Sequence, residues 1–263
     1  MRIHFYKYQG TGNDFILIDD REDRSSGSLH SDQIAYLCDR KFGIGADGLM
    51  LLQTSGTTDF KMVYFNADGR ESSMCGNGGR CIVAFAHLLG LVDDCCHFEA
   101  TDGIHWAAIK QDQVKLKMTK PYGYKKMSDH SWIHTGSPHD VRFLNESLEH
   151  LDVFEEGKAI RYHTRYQADG GTNANFVYVQ APYKLEVRTY ERGVEDETLS
   201  CGTGVTACAY IYLLEHLNKK SAEIQILTLG GKLRVVIQDL GKEQEEVYLI
   251  GPATYVFEGD VEL

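Results

Sequence analysis

The sequence predicts an α+β fold of two pseudo-symmetric domains, each a mixed or antiparallel β-sheet wrapped around a central apolar helix. The main observation is a repeat, because the tetrapeptide Cys-Gly-x-Gly occurs at residues 75–78 and again at 201–204. Each copy leads directly into an apolar stretch of helical character, at residues 82–89 and 205–211. Strand-like segments surround both copies in the same order, which indicates a duplicated unit. A helix without a polar face must be buried, and a many-stranded sheet can enclose it.

The first half of the chain opens with strand signals, because its segments are rich in β-branched and aromatic residues. Residues 3–9 and 15–19 are predicted to pair as a hairpin around a turn at 10–14. A helix is predicted at 31–38, where Ser31 supplies an N-cap signal. The other strands of this half are predicted at residues 49–52, 60–66, 97–101, 104–109 and 114–118.

The second half repeats this order after a pause near residues 120–123, where we place a domain boundary. The predicted domains are therefore 1–120 and 121–253, and we expect a C-terminal strand at 254–263 to return to the first domain. Strands of the second domain are predicted at residues 132–141 (a strand with a turn), 173–179, 185–190, 223–227, 233–237 and 246–250. The last three of these match the three strands that follow the first apolar helix.

Two local similarities need interpretation. Residues 173–179 echo residues 13–18, since both begin with Asn and continue as an apolar strand, and we interpret them as equivalent. Residues 43–48 match the dinucleotide-binding pattern G-x-G-x-x-G. That pattern should follow a strand and open a helix, whereas this copy follows a predicted helix and leads into a strand. We therefore exclude a Rossmann site.

Composition restricts the class of protein. The chain has 263 residues, of which 43% are hydrophobic and 25% charged, as in an ordinary globular protein. Its formal net charge of −11 argues against nucleic acid and anionic membranes as partners. We see no apolar run long enough to span a bilayer and no secretory signal, so we expect a cytoplasmic protein.

The seven cysteines are expected to be reduced. An odd number without a secretion signal does not favour a disulfide framework. The sequence has no Cys-x-x-Cys pair, and its cysteine spacings do not suit a structural zinc site. Cys81 and Cys208 follow the two tetrapeptides and are expected to pack inside their helices.

Cys75 and Cys201 are the candidate reactive thiols. The first turn of a helix carries amide groups without intrahelical partners, and its positive end favours an anion or a thiolate. Gly76 and Gly202 allow a ligand carboxylate to approach the backbone closely. The alternative is that both are inert buried cysteines. The presence of two copies, each opening a helix, favours a two-thiol active site in which both thiols meet at a shared cleft.

Motifs along nearly the whole chain resemble diaminopimelate epimerases, in the family's order. They are Gly12-Asn13-Asp14-Phe15, the segment 43–48, Phe65-Asn66-x-Asp68-Gly69, Met74-Cys75-Gly76-Asn77-Gly78, Pro138-His139, Thr172-Asn173, Glu191-Arg192-Gly193, Glu197-Thr198, Cys201-Gly202-Thr203-Gly204 and Gly251-Pro252-Ala253. The resemblance implies a cofactor-independent racemase-type enzyme that interconverts LL- and meso-diaminopimelate. It also implies two domains of like fold, a homodimer, and neither pyridoxal phosphate nor a metal.

The resemblance gives each site residue an expected role. Cys75 and Cys201 are expected to exchange the roles of base and acid. Backbone amides of Gly76, Asn77, Gly202 and Thr203 are expected to bind the reacting carboxylate. His139 and Glu191 are expected to orient the amino group and tune the thiols, although a buried core histidine is the alternative reading of His139. The residues expected to hold the distal end of the substrate are Asn13, Asn66, Asn173 and Arg192, and turn chemistry is the alternative for the asparagines.

Two features depart from the family pattern. The family commonly has Asn where Ser137 stands, so a substrate contact there is lost or carried by water. The segment 191–198 is one residue longer than usual, which affects the placement of Glu191. A one-residue insertion in a loop is usually accommodated outside the site.

Three other functions are alternatives to a diaminopimelate epimerase. A two-base isomerase of the same fold acting on proline or hydroxyproline is the nearest, but such substrates lack the distal carboxylate that Arg192 would bind. A thiol redox protein would be expected to carry Cys-x-x-Cys. A non-enzymatic binding module would need a carboxylate site but not two thiols.

Overall fold

The computed structural model describes residues 2–22, 29–217 and 219–263. Residues 1, 23–28 and 218, which the predicted domains include, lie outside the described residues. The chain divides into two compact units. The first unit comprises Met1–Leu116 and Gly251–Leu263, and the second comprises Lys117–Ile250. Each unit is a mixed sheet with its own buried helix.

The first unit contains most of the strands expected for it. Its helices are α1 (Ser31–Cys38) and α2 (Gly76–Leu88). Its strands up to residue 117 are β1 (Arg2–Gly10), β2 (Asn13–Asp19), β3 (Gly48–Gln53), β4 (Phe60–Asn66), β5 (Glu71–Ser72), β6 (Cys95–Ala100), β7 (Gly103–Lys110) and β8 (Gln113–Lys117). Thr11 and Gly12 both have positive φ, at 53° and 89°, as a tight two-residue hairpin turn between β1 and β2 requires.

The second unit follows the same plan. Its helices are α3 (Val153–Arg161) and α4 (Gly202–Tyr212), which continues into a π-helical turn at Leu213–Leu217, and short 3₁₀ segments lie at Leu148–His150 and Thr164–Asp169. Its strands are β9 (Tyr122–Lys126), β10 (Ser131–His134), β11 (Pro138–Leu144), β12 (Asn173–Ala181), β13 (Lys184–Glu191), β14 (Asp196–Thr198), β15 (Ala222–Thr228), β16 (Gly231–Gln238) and β17 (Glu246–Pro252). The last strand, β18 (Thr254–Glu262), pairs with β1.

The pairing of strands demonstrates the duplication. In the first unit β1 pairs antiparallel with β2, β2 parallel with β3, β3 antiparallel with β4, and β4 parallel with β6. In the second unit β10 pairs antiparallel with β11, β11 parallel with β12, β12 antiparallel with β13, and β13 parallel with β15. Even the outermost strands correspond, since β18 pairs antiparallel with β1 and β9 with β10. The predicted fold class is therefore confirmed.

Two local expectations were wrong. Residues 173–179 are not equivalent to 13–18, because β12 takes the position of β3 and β11 takes that of β2. The boundary placed near 120–123 stays a prediction, and β9, whose residues are all exposed and carry no alternating pattern, begins there. Residues 132–141 form two strands, β10 and β11, rather than one strand with a turn. In each case long-range pairing decides the structure.

The repeated apolar helices lie in the centre of each unit. Helix α2 packs against β1, β2, β3 and β7, and α4 packs against strands β10 to β13, β15 and β16. Ile82 and Phe85 of α2 and Val205 and Ile211 of α4 are fully buried. Cys81 and Cys208 are also fully buried, as expected, and burial raises the pKa of both thiols. Each unit thus wraps its sheet around one helix whose first turn carries a candidate thiol.

Candidate active site

The thiol of the first unit occupies the N-cap position of α2. Cys75 has extended backbone angles (φ −103°, ψ 151°), and its Sγ accepts a hydrogen bond of 3.2 Å from the amide of Gly78. A side chain at Gly78 would place its Cβ 3.1 Å from that sulfur. An amide donor at the positive end of a helix stabilises a thiolate more than a thiol. The half-buried Cys75 is therefore placed to act as a base.

The thiol of the second unit occupies the same position on α4. Cys201 is the N-cap residue, is 4% exposed, and has its Sγ 3.5 Å from the Thr203 hydroxyl. A side chain at Gly204 would lie 3.4 Å from this sulfur, as at Gly78 of the first unit. The hydroxyl of Thr135 donates to the carbonyl of Thr203 (2.9 Å), which ties the β10–β11 turn to the first turn of α4. Both copies of Cys-Gly-x-Gly therefore place a thiol at the N-cap of a helix, but the sulfurs meet different groups: Cys75 accepts a first-turn amide, whereas Cys201 does not cap α4 and lies beside the Thr203 hydroxyl.

Asn13 and Asn77 are joined in the first unit. Asn13 begins β2, and its Nδ2 donates to Asp47 (2.6 Å), while its Oδ1 lies 3.4 Å from the Nδ2 of Asn77. Asn77 is 3% exposed and lies in the first turn of α2. The chain therefore holds the Asn13 amide beside the residue that follows the Cys75-Gly76 pair.

Residues 43–48 build the support for Asn13. Their carboxylate, Asp47, accepts from Asn13 and from the amide of Asp14. Asp14 in turn pairs with Lys7 (2.8 Å) and Arg40 (2.6 Å), and Arg40 also reaches Asp47 (2.7 Å). Burial opposes ionisation of Asp14, but the hydrogen bonds from Arg40 and Lys7 lower its pKa to about 2. The G-x-G-x-x-G segment therefore has a structural role, consistent with excluding a Rossmann site.

Asn66 lies at the same end of the sheet as Asn13 but is exposed. It ends β4 opposite Gly48, which pairs with Phe15 of β2. Its backbone closes the turn to Arg70, with an N–H···O bond of 3.0 Å. Its predicted substrate contact stays a prediction.

His139 is buried in the second unit and uncharged at neutral pH. It is 0% exposed, and burial is the main reason that its pKa is lowered to about 3. Asn175 donates from Nδ2 to the Asp140 carbonyl (2.9 Å) and accepts at Oδ1 from Thr189 (3.0 Å), which fixes the orientation of its amide. The same Nδ2 lies 3.1 Å from Nδ1 of His139. Nδ1 is therefore an acceptor and the proton resides on Nε2.

Asn175, which gave no signal in the sequence, positions His139. Its Oδ1 lies 2.5 Å from where the Cβ of any residue replacing Gly204 would stand. The second glycine of Cys201-Gly-x-Gly is therefore required because α4 packs directly on this amide. Among residues 2–22, 29–217 and 219–263, no hydrogen-bond partner meets Nε2 of His139. This buried N–H is a donor that a bound ligand or an anionic side chain can use.

Asn173 acts within the protein. It is 2% exposed and begins β12, beside His139 of β11. Its Nδ2 donates to Ser137 Oγ and to the Pro138 carbonyl, both at 2.8 Å, and its Oδ1 accepts the amide of Arg192 at 2.8 Å. Both of its amide protons are therefore used internally. Asn173 positions the backbone that leads to His139 and Arg192, and Ser137 is part of that arrangement.

Glu191 ends β13, at the topological position that Asn66 has in the first unit. Its Oε2 accepts a hydrogen bond of 2.9 Å from Thr198 of β14. The loop that follows is fixed by Glu195, which binds Arg161 through Nε (3.1 Å) and Nη2 (2.8 Å). The β13–β14 connection thus has its own anchor, and Glu191 lies in the strand. The one-residue insertion expected from the resemblance stays a prediction.

Neither a metal centre nor a membrane helix is found among the described residues. No group of three or more His, Cys, Asp and Glu side chains there is arranged to hold a metal ion. No helix in the described ranges has the length and apolar character needed to cross a bilayer.

Comparison with known proteins decides the family. A sequence profile described as "Diaminopimelate epimerase" matches residues 5–123 and 131–256. A diaminopimelate epimerase of Flavobacterium psychrophilum is 48% identical over 254 residues, covering 96% of this chain and 98% of that protein. The chain belongs to the diaminopimelate epimerase family. A family member from Chlorobaculum tepidum is 42% identical, covering 97% of this chain and 99% of its own length.

Solved structures show that the diaminopimelate epimerase family shares its fold with proteins of other names. A Bacillus anthracis phenazine biosynthesis protein of the PhzF family has a TM-score of 0.79 at 16% identity, with 100% of both chains covered. A probable proline racemase from Agrobacterium radiobacter has a TM-score of 0.71 at 13% identity, covering 99% of this chain and 93% of its own. These likenesses show the fold alone. The family assignment rests on the sequence relatives.

Proposed function

We propose that this chain interconverts LL-2,6-diaminopimelate and meso-diaminopimelate, a step of lysine and peptidoglycan precursor biosynthesis, without a cofactor. The observation that carries the proposal is the equivalent placement of two thiols, each at the N-cap of the buried helix of its unit. Relatives named diaminopimelate epimerase, 35–48% identical over nearly the whole chain, support the substrate. The chain is accordingly an isomerase.

The proposed chemistry uses Cys75 and Cys201 as a base and an acid. One thiolate removes the α-proton, and the electron pair of the broken C–H bond is delocalised into the substrate carboxylate. The other thiol then donates its proton to the opposite face of the same carbon. After one turnover the thiol and thiolate have exchanged protonation states, so the active form carries one proton between the two sulfurs. First-turn amides of Gly76, Asn77, Gly202 and Thr203 supply donors for the developing charge.

The tautomer of His139 limits which groups its Nε2 atom can contact in the proposed reaction. A neutral imidazole with its proton on Nε2 donates, so it suits a thiolate or a carboxylate and cannot accept from the substrate ammonium group. The carboxylate of Glu191 is the better candidate for that ammonium group. We keep Asn13, Asn66 and Arg192 as proposed contacts to the distal end of the substrate. For Asn173 we propose that it acts by placing the Arg192 backbone.

The test compares substrates in deuterated water with the wild-type chain. We expect the α-hydrogen of LL-diaminopimelate to exchange with inversion, whether or not a metal chelator is present. L-proline lacks the distal amino acid group and is expected to show no exchange. Equal or faster exchange of L-proline would favour the proline isomerase alternative, and no exchange on either substrate, with reductant present, would overturn the proposal.

We propose a homodimer formed through the edge strand β18. Three consecutive apolar residues of this strand are exposed: Tyr255 (44%), Val256 (51%) and Phe257 (45%). Among the described strands β18 pairs only with β1, which leaves one backbone edge available. Sedimentation should give a mass near twice 29.6 kDa for the wild type and near one chain mass for Val256→Glu. Ile104→Glu, at a 63% exposed residue of β7, is the matched control, and a dimeric Val256→Glu would contradict this interface.

A cytoplasmic location is part of the same proposal. It is supported by the thiols outside the proposed site, which are free: Cys38, Cys81, Cys95, Cys96 and Cys208. Free thiols persist in reducing compartments. Recovery of the enzyme in an extracytoplasmic fraction would contradict it.

A further inference from the structure

Arg80 is an unusual residue in the centre of the first unit. It is 0% exposed, although guanidinium groups are seldom fully buried. Its Nη1 donates to the Gly76 carbonyl (3.1 Å) and its Nε to the Pro252 carbonyl (3.2 Å). Its Nη2 donates to Thr11 Oγ1 and to Asn77 Oδ1, both at 3.1 Å. These four acceptors are all uncharged.

No carboxylate forms an ion pair with Arg80 among the described residues. Two carboxylates of the first unit, Asp14 and Asp102, have their own partners. Asp14 pairs with Lys7 and Arg40, and Asp102 accepts from the Met74 amide and lies 3.2 Å from His105. An unpaired charge in a protein interior is costly, so a buried guanidinium without a carboxylate needs another anion.

Two ionisable thiols remain beside Arg80. Arg80 binds the Gly76 carbonyl and the Asn77 side chain, which directly follow the N-cap residue Cys75, and Cys81 is the next residue of α2. Burial raises the pKa of Cys81 to about 12, so that thiol stays protonated at neutral pH. Cys75 is different, because its sulfur accepts the Gly78 amide at the helix N-terminus. A thiolate at Cys75 would give the guanidinium an anion from its own unit.

We propose that Arg80 is the internal counter-ion of the Cys75 thiolate and fixes the first turn of α2 through Gly76, Asn77 and Thr11. This inference rests on the proposed function, in which Cys75 is one of the two bases. Arg80 is a positioning residue, because its contacts are to the backbone and side chains that hold Cys75. The positive charge of Arg80 lowers the free-energy cost of forming the Cys75 thiolate. Its guanidinium N–H groups hold the first turn of α2 in place, and so orient the amides proposed to face the substrate carboxylate.

The test measures the ionisation of Cys75 without requiring turnover. In a Cys201→Ala background, alkylation of Cys75 by iodoacetamide is followed by mass spectrometry between about pH 5 and pH 10. The exposed Cys95 of the same unit is the internal reference for reagent and pH. Arg80→Met removes the charge and fills the space, and we expect it to raise the midpoint of the Cys75 profile by about one unit, which makes alkylation at neutral pH ~10-fold slower. Arg80→Lys keeps a charge and is expected to shift the midpoint less.

The outcomes separate a counter-ion from a merely structural residue. The proposal is wrong if the pH profile of Cys75 alkylation is the same with and without Arg80→Met in the Cys201→Ala background, provided that circular dichroism shows both proteins to be folded. If Arg80→Met does not fold, Arg80→Gln, which retains a donor for the Gly76 carbonyl, is the second neutral variant and must show the same rise. A profile shifted equally by Arg80→Lys and Arg80→Met would also overturn the role of charge. None of these results depends on whether diaminopimelate is the substrate.

Discussion

Replacing either Cys75 or Cys201 by alanine is expected to lower the rate of epimerisation by at least ~10³, because each removes one member of the acid–base pair. The two losses should be similar, since each reaction direction needs one thiolate and one thiol. They should also not add, because the double variant has little further activity to lose. The measurement is inversion of LL-diaminopimelate at saturating substrate, followed by the appearance of the meso isomer.

The chain supplies a matched control for these substitutions. Cys81 and Cys208 lie later in the same two helices, are fully buried, and have pKa values raised by burial. Cys81→Ala and Cys208→Ala should therefore keep activity within a few-fold and lose only some stability from the small cavity created. If these variants lose as much activity as Cys75→Ala at equal folded fraction, loss of packing rather than chemistry would explain the result.

Acid should destabilise the enzyme partly through His139. Its pKa is lowered from 6.5 to about 3 by burial, with His134 and Arg192 acting in the same direction and the Asn175 hydrogen bond opposing them. Between these values the unfolded chain binds a proton that the native protein does not. The free energy of unfolding therefore rises with pH across this window. The contribution of neutral His139 is fully present above about pH 6.5 and is lost as the pH decreases towards its native pKa. At pH 5 the expected loss from this residue is about 2 kcal/mol relative to neutral pH.

The contribution of His139 to acid destabilisation is obtained by comparing the wild type with His139→Gln. Urea unfolding of the wild type and of His139→Gln is measured at both pH values, and the variant should lose less stability on acidification by about 2 kcal/mol. His97→Gln, which replaces an exposed histidine, should behave as the wild type. If acidification destabilises His139→Gln and the wild type equally, His139 is not held neutral in the native protein.

The hydrophobic pattern of the sequence predicted those elements whose buried positions match their apolar residues. Residues 82–86 of α2 and 205–211 of α4 are almost entirely apolar and follow glycine-rich first turns, so their burial is evident from the chain alone. Helix α3 was missed because Gly157 interrupts its pattern. In the structure that glycine is required by packing, since a Cβ there would lie 2.2 Å from the Cβ of Tyr190 in β13. Short strands such as β5 and β14 depend on partners distant in sequence and give no periodic signal.

The candidate site was predicted in part for similar reasons. Cys75 and Cys201 are marked by the repeat itself, which is why their position could be inferred before the fold. Arg80 and Asn175 were missed, because an Arg in a helix or an Asn in a strand usually means a solvated side chain. Only the tertiary structure shows that Arg80 is buried beside the Asn77 amide and that Asn175 holds the imidazole of His139.

The most direct test of the account follows deuterium during the first few per cent of the conversion of LL-diaminopimelate in deuterated water. A thiolate on one face keeps the substrate hydrogen, and a thiol on the other face delivers a hydrogen that came from solvent. We therefore expect the meso product to carry deuterium at the inverted carbon while the recovered LL substrate remains unlabelled. Deuterium entering the recovered substrate as fast as the product, or product that retains the original hydrogen, would contradict a mechanism with one thiol for each face.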